Sequence, residues 1–245
     1  MNPTEKATSR LKQEPLHYIS LLEPLRRGTA QLLYAGEDGV QIRLGQTVLQ
    51  SAVSPQAAER LLNRLPQVPQ MFVAHEDYEK ELFERLCGGR DAFEPGMCNP
   101  CRTAVYTDSE PLPVSETFDI RRLGSAYAEA VAKQYHLFDD LAYIQERIAA
   151  GVFYGAFLGG ELTGFIGEHS EGAMGMLEVL PKFRRMGVAS ALEADAVNRN
   201  LAAGHTAFCD VILGNEASFA LQRTLGLSVA ARSHYWLAAP ERAEN

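Results

Sequence analysis

The chain has 245 residues, 46% apolar and 22% charged, with a formal net charge of −8. That composition can bury a core but lacks the basic field that non-specific binding to nucleic acid or anionic membranes requires. No segment approaches the roughly 20 apolar residues of a spanning helix, and the polar N-terminal stretch has no apolar signal core, so a cytosolic protein is expected.

In chain order, residues 16–27 place Leu16, Ile19, Leu22 and Leu25 at near-helical spacing, with Pro15 before and Gly28 after. Strands are expected at 31–35 and 40–44 around the turn Glu37-Asp38-Gly39, and a third at 47–52. Ser54 and Pro55 mark the start of a helix over 54–65. A short strand at 71–74 and a helix at 76–86 follow. Residues 88–100, rich in Gly and Pro, read as a loop, and 103–107 as a closing strand. Residues 108–116, with two prolines and three acids, read as a linker between a first domain (1–110) and a second (117–245).

The second domain opens with a strand at 118–121 and helices at 125–134 and 140–149, with Gly151 behind the latter. Gly159-Gly160 is a two-residue hairpin signal between strands 152–158 and 161–168. A strand is expected over 173–180, a helix over 188–203, a strand over 206–213 and a helix over 216–225, with Asn215 as its cap. Two strands, 227–230 and 233–237, finish the chain.

The most informative run is Val179-Leu180-Pro181-Lys182-Phe183-Arg184-Arg185-Met186-Gly187-Val188-Ala189. A strand, a basic loop with one glycine and a helix start aim backbone N–H groups at one place, a geometry suited to a pyrophosphate. Gly187 permits close backbone approach, and Arg184 and Arg185 add charge. The plainer reading is a solvated helix start, but cations there oppose the helix dipole unless an anion is bound.

With this loop in the middle, the element order resembles the GNAT superfamily of acyl-CoA-dependent N-acyltransferases over residues 118–237. Arg184, Gly187 and Ala189 fit the family's phosphate-loop pattern, [Q/R]-x-x-G-x-[G/A]. Asn215 opens a helix ending in Gly226-Leu227, close to the family's Asn-helix signature. The resemblance implies an α/β fold of mixed sheet with acetyl-CoA as donor. It also implies a primary amine on a small molecule or peptide as acceptor. Val179, Arg184, Arg185, Met186, Gly187, Val188, Ala189, Ser190, Asn215 and Ser218 would hold the cofactor, and Phe219 would touch the pantetheine arm or the cleft wall. The first domain has no such loop. Its strand–helix pattern is that of a degenerate copy, as in tandem members that resemble glycine N-acyltransferases. The oligomeric state is open, a homodimer included.

Two positions depart from the family. Gln222 stands where many members use a tyrosine to protonate the leaving thiolate, and Ala173 where several place a catalytic carboxylate. Substitutes are needed for proton transfer. Glu168 and His169 are the candidates; Glu171, Glu178, His234 and Tyr235 are alternatives, and Tyr135-His136 falls where the acceptor pocket is often built. A protein that holds acyl-CoA without transferring it is the competing reading. A third reading is zinc or redox chemistry at Cys98 and Cys101, but a structural zinc site takes about four ligands, and beyond Cys87 no fourth is evident. Reduced thiols are the plainer account.

Overall fold

The computed structural model describes residues 2–87, 98–135 and 140–239. The chain forms two compact units. Unit 1 comprises Met1–Thr103, Val211–Glu216 and Val229–Asn245; unit 2 comprises Ala104–Asp210 and Ala217–Ser228. The class is mixed α/β, with one sheet of eight strands and one of four.

Unit 1 opens with α1 (Pro3–Leu11), a helix not expected from apolar spacing. Its signal is nonetheless in the sequence: Asn2 and Glu5 form a reciprocal capping box around Pro3. The next helix, α2 (Ile19–Arg27), starts three residues later than expected, because residues 14–18 are taken up by turns closed on the Glu14 carbonyl. Strands β1 (Gln31–Gly36), β2 (Gly39–Leu44) and β3 (Thr47–Ala52) form an antiparallel meander. Helix α3 (Pro55–Leu62), capped by Ser54, crosses to β4 (Met71–Ala74), which pairs parallel to β3. Helix α4 (Asp77–Leu86) follows.

Strand β5 (Cys98–Val105) corrects the sequence reading, which placed residues 98–100 in a loop. Pro100 has no N–H to donate, yet its carbonyl accepts from Leu213 N at 2.9 Å, so the strand continues through it. Residues 88–97 lie outside the described residues.

Near its start, unit 2 contains residues 108–116, which form no helix or strand. That segment is strapped down: Leu112 N–H and C=O both bond the Asn198 side-chain amide, each at 2.8 Å. Strand β6 (Asp119–Arg122), helices α5 (Ala128–Gln134) and α6 (Leu141–Ala149), and strands β7 (Tyr154–Leu158), β8 (Glu161–Glu168) and β9 (Met174–Val179) follow. The sheet order is β6-β7-β8-β9. Gly159 and Gly160 both have positive φ, 58° and 86°, as the expected hairpin turn requires. Helices α5 and α6 pack Val131, Ile144 and Ile148 against Phe153, just before β7, and against Phe157, Phe165 and Met176 of the sheet.

The long helix α7 (Val188–Ala202) is followed by β10 (Phe208–Ile212), α8 (Glu216–Thr224), β11 (Ser228–Val229) and β12 (His234–Ala238). Of these, β12 departs most from expectation. Its place in the chain suggests closure of the second sheet, but it lies in the eight-stranded sheet between β4 and β5, antiparallel to both. A short alternating segment announces a strand without naming its neighbours.

Candidate functional site

The basic loop is exposed. Pro181–Phe183 makes one 3-10 turn, Phe183 anchors it in the core, and Lys182, Arg184, Arg185, Met186 and Gly187 face solvent. Met186 is 50% exposed. Two residues have left-handed backbone, Arg185 (φ 66°) and Gly187 (φ 87°). Gly187 is the N-cap of α7 and brings no side chain, so among the described residues no N-cap side chain accepts from the first-turn N–H groups at Val188, Ala189 and Ser190. Val188 is buried and fixes the helix start against β8: a Cβ at Gly164 would lie 3.0 Å from its Cγ1.

Arg184 folds back, its Nε 3.3 Å from the Val179 carbonyl and its Nη2 3.3 Å from Glu178 Oε1. Lys182 pairs with Glu161 at 2.5 Å. Arg185 has no ion-pair partner among the described residues. Uncapped N–H groups, a positive helix end and an unneutralised guanidinium therefore share one exposed turn. Such a turn is suited to bind a phosphate-bearing ligand.

Strand β9 leads into this loop and is an edge strand: β10 pairs with β5 instead. The ladder with β8 carries a bulge. Phe165 faces Glu178 and Gly167 faces Gly175, so β9 uses three steps where β8 uses two. Met176 absorbs the difference with φ 50°, a strained value for a non-glycine residue. Such a bulge takes a residue out of regular pairing next to the open edge.

Glu168 ends β8 and His169 directly follows it, and being adjacent in extended chain they point to opposite faces. Gly164 approaches α7, whereas Phe165 and Gly167 contact the α5–α6 core. Glu168 falls on the α7 face, where its charge acts on Arg199. His169 falls on the α5–α6 face. Its Nδ1 lies 3.0 Å from the Tyr143 hydroxyl, and the two rings stack with centroids 6.0 Å apart. Desolvation lowers the His169 pKa to about 4; Asp210 opposes this and Arg147 reinforces it. The imidazole is neutral at pH 7.

Apolar spacing did not reveal the role of α6. Tyr143 and Arg147, one turn apart, both reach the β8–β9 turn, Arg147 through Nε to the Glu168 carbonyl at 2.9 Å. Glu171 in that turn is 4% exposed, and burial, with Asp210 nearby, raises its pKa to about 8. Ala173 is buried and offers only its carbonyl, which accepts from His169 N at 2.8 Å.

Gln222 is also buried, and its amide bonds the Glu193 carboxyl. Tyr135 is buried, and burial raises its pKa, with Tyr143 and Glu178 adding to the effect. His136 lies outside the described residues. Asn215 belongs to unit 1 and Ser218 to unit 2.

Two alternatives are committed elsewhere. His234 is fully buried in unit 1 and stacks on His75, ring centroids 5.5 Å apart. Tyr235 donates to Asp77 Oδ1 at 2.7 Å. Phe219 is buried. Cys87, Cys101 and Cys209 are not in disulfides. Among the described residues no cluster of three His, Cys, Asp or Glu could hold a metal ion, and no helix is long and apolar enough to cross a membrane.

Residues 150–237 match the model of a family described as FR47-like protein. A comparison with curated protein sequences finds no match. Among solved structures, a Drosophila protein is similar over 98% of this chain and 89% of its own, at 19% identity and TM-score 0.68. A GCN5-related N-acetyltransferase from Kribbella flavida covers 93% of this chain and 96% of its own, at 14% identity and TM-score 0.57. An acetyltransferase of the GNAT family from Colwellia psychrerythraea covers 97% and 98%, at 12% identity and TM-score 0.51. The likeness is one of fold: the chain has a GNAT-like acetyltransferase fold.

Proposed function

We propose that this chain is an acyl-CoA-dependent N-acyltransferase that moves an acetyl group from acetyl-CoA to a primary amine on a small molecule or peptide. The observation that carries the reading is the exposed turn at Arg184–Gly187, whose helix N-terminus no side chain caps. A pyrophosphate supplies the acceptors and negative charge that this turn lacks. The open edge of β9 then offers backbone groups to the pantetheine amides, as an added strand would.

The thioester is already activated, so the protein's work is alignment, proton removal and oxyanion stabilisation. The amine nitrogen bonds to the carbonyl carbon, the carbonyl oxygen takes the negative charge, and collapse expels the CoA thiolate. The proton leaving the amine passes to a base or water, and the thiolate takes up a proton as it departs. The bulge at Met176, where β9 leaves regular register with β8, is a place from which backbone N–H groups would reach the oxyanion. Glu168 and His169, on opposite faces, do not act together. His169 is the better placed, because it stands on the face that carries the α5–α6 pair and Tyr143. The binding reading and the tandem, glycine N-acyltransferase-like architecture remain comparisons of pattern, and no observation above favours the former.

Calorimetric titration with CoA tests the assignment. Wild type should bind, and Arg184→Glu and Gly187→Val should each weaken binding at least tenfold with unchanged circular dichroism. Acetyl-CoA with a panel of amines should release thiol continuously. Variants that bind CoA as wild type does, or a wild type that does not bind it, would overturn the reading.

A further inference from the structure

We propose that Glu193 is carried as a neutral carboxylic acid in reciprocal hydrogen bonding with the Gln222 amide, and that this pair positions the cofactor-binding helix α7 against α8. The inference rests on the CoA reading above for its functional consequence, but not for its chemistry.

Glu193 lies in α7, five residues beyond Val188, and Gln222 lies in α8; each is 2% exposed. The two side chains are hydrogen-bonded. A carboxylate only accepts, so the bond runs from Gln222 Nε2–H to the carboxyl group. Two buried oxygens are then left with no partner, Glu193 Oε2 and Gln222 Oε1. Both are acceptors, and buried acceptors without donors are costly. One proton on Glu193 resolves both: the acid O–H donates to the amide oxygen while the amide N–H donates to the acid carbonyl.

Burial favours the neutral form, and the hydrogen bonds that Gln222 and Cys209 give to the carboxyl oppose it. From β10, the Cys209 thiol bonds the same carboxyl and is itself held protonated, with its pKa raised well above the usual value by burial. Asp210 on β10 bears on Cys209 and adds negative charge. On α7, Asp195 pairs with Arg199, leaving that guanidinium engaged. Gln222, the contribution of α8, is uncharged. Burial pushes the Glu193 pKa up to about 7. At higher pH the O–H is lost, the reciprocal pair becomes a single bond, and α7 is held less firmly at the end that carries the loop.

This assigns a role to the position where the family resemblance predicted a tyrosine. Gln222 cannot protonate a thiolate, but it can complete an acid–amide pair, and Glu193 is a positioning residue rather than one that touches substrate.

The test uses the full chain and two readouts. Infrared difference spectra of wild type minus Glu193→Gln at pH 6 should show the carbonyl band of a neutral carboxylic acid, and that band should titrate away near pH 7. Calorimetric titration with CoA between pH 6 and 9 should show wild-type affinity falling about tenfold, the loss of one hydrogen bond, while Glu193→Gln keeps a flat profile. Should Glu193→Gln fail to fold, Glu193→Met removes the same proton with an apolar chain of similar length. A carboxylate band for Glu193 at pH 6, or a variant that keeps the wild-type pH slope, overturns the proposal. If wild type binds no CoA at any pH, the function reading fails, and the infrared band still decides the state of Glu193.

Discussion

The imidazole of His169 occupies the space that a side chain at residue 175 would need: a Cβ built on Gly175 would lie 2.6 Å from both Cδ2 and Nε2. The ring cannot simply swing away, because Nδ1 is held by the Tyr143 hydroxyl and the ring stacks on Tyr143. Gly175 is thus what lets a histidine at the end of β8 lie over β9.

Gly175→Ala should therefore displace the ring. Loss of the Tyr143 bond, read from the His169 ring-nitrogen shifts by NMR, is expected together with a stability loss of about 1–3 kcal/mol from overpacking. If His169 takes part in transfer, kcat should fall while CoA affinity stays near wild type. An unmoved ring would show that β9 yields instead.

Glu79 organises one end of unit 1. Its carboxyl accepts from Ala52 N at 2.6 Å, His75 N at 2.9 Å, Glu76 N at 3.1 Å and Gln50 Nε2 at 3.2 Å. Glu79→Ala leaves these buried donors without an acceptor. A loss of about 2–4 kcal/mol in urea unfolding is expected, with a smaller loss for Glu79→Gln, which keeps one oxygen. A loss below about 1 kcal/mol would mean that water or rearrangement replaces the carboxyl.

His17 makes unit 1 acid-sensitive. Its Nε2 meets the His75 carbonyl at 2.9 Å, which accepts only, so Nε2 carries the proton and Nδ1 is a buried acceptor without a partner. Burial lowers its pKa to about 4, and Arg232 and His234 add to the lowering. As pH falls, the unfolded chain takes up this proton first, near 6.5. The stability owed to neutral His17 is complete above that pH and is lost progressively down to about 4. His17→Gln can still donate to the His75 carbonyl but cannot titrate. Its unfolding free energy should decline less between pH 6.5 and 4 than wild type, as denaturant titrations across that range would show. Parallel declines would exclude His17 as a source of the acid sensitivity.

Much of the fold was legible from local signals, because those signals act locally. Gly159-Gly160 specifies a hairpin, and Ser54-Pro55 and Asp140 start helices, since turn and cap chemistry involves only a few neighbouring residues. The Arg184–Ala189 loop was legible for the same reason, and its exposure and left-handed glycine agree with the pattern. The capping box at Asn2 and Glu5 is an equally local signal, although α1 has little apolar spacing.

Taken alone, the chain determined the strand–loop–helix unit after Val179, the GNAT-like element order, and the absence of a base at Ala173 and of an acid at Gln222. Tertiary structure decided which groups stand together. It put Glu168 and His169 on opposite faces, brought Tyr143 to His169 and Glu193 to Gln222, and gave β12 to the sheet of unit 1. Turns and caps are set by neighbours a few residues apart, whereas burial and strand partnership depend on contacts between segments far apart in the chain, which residue order does not specify.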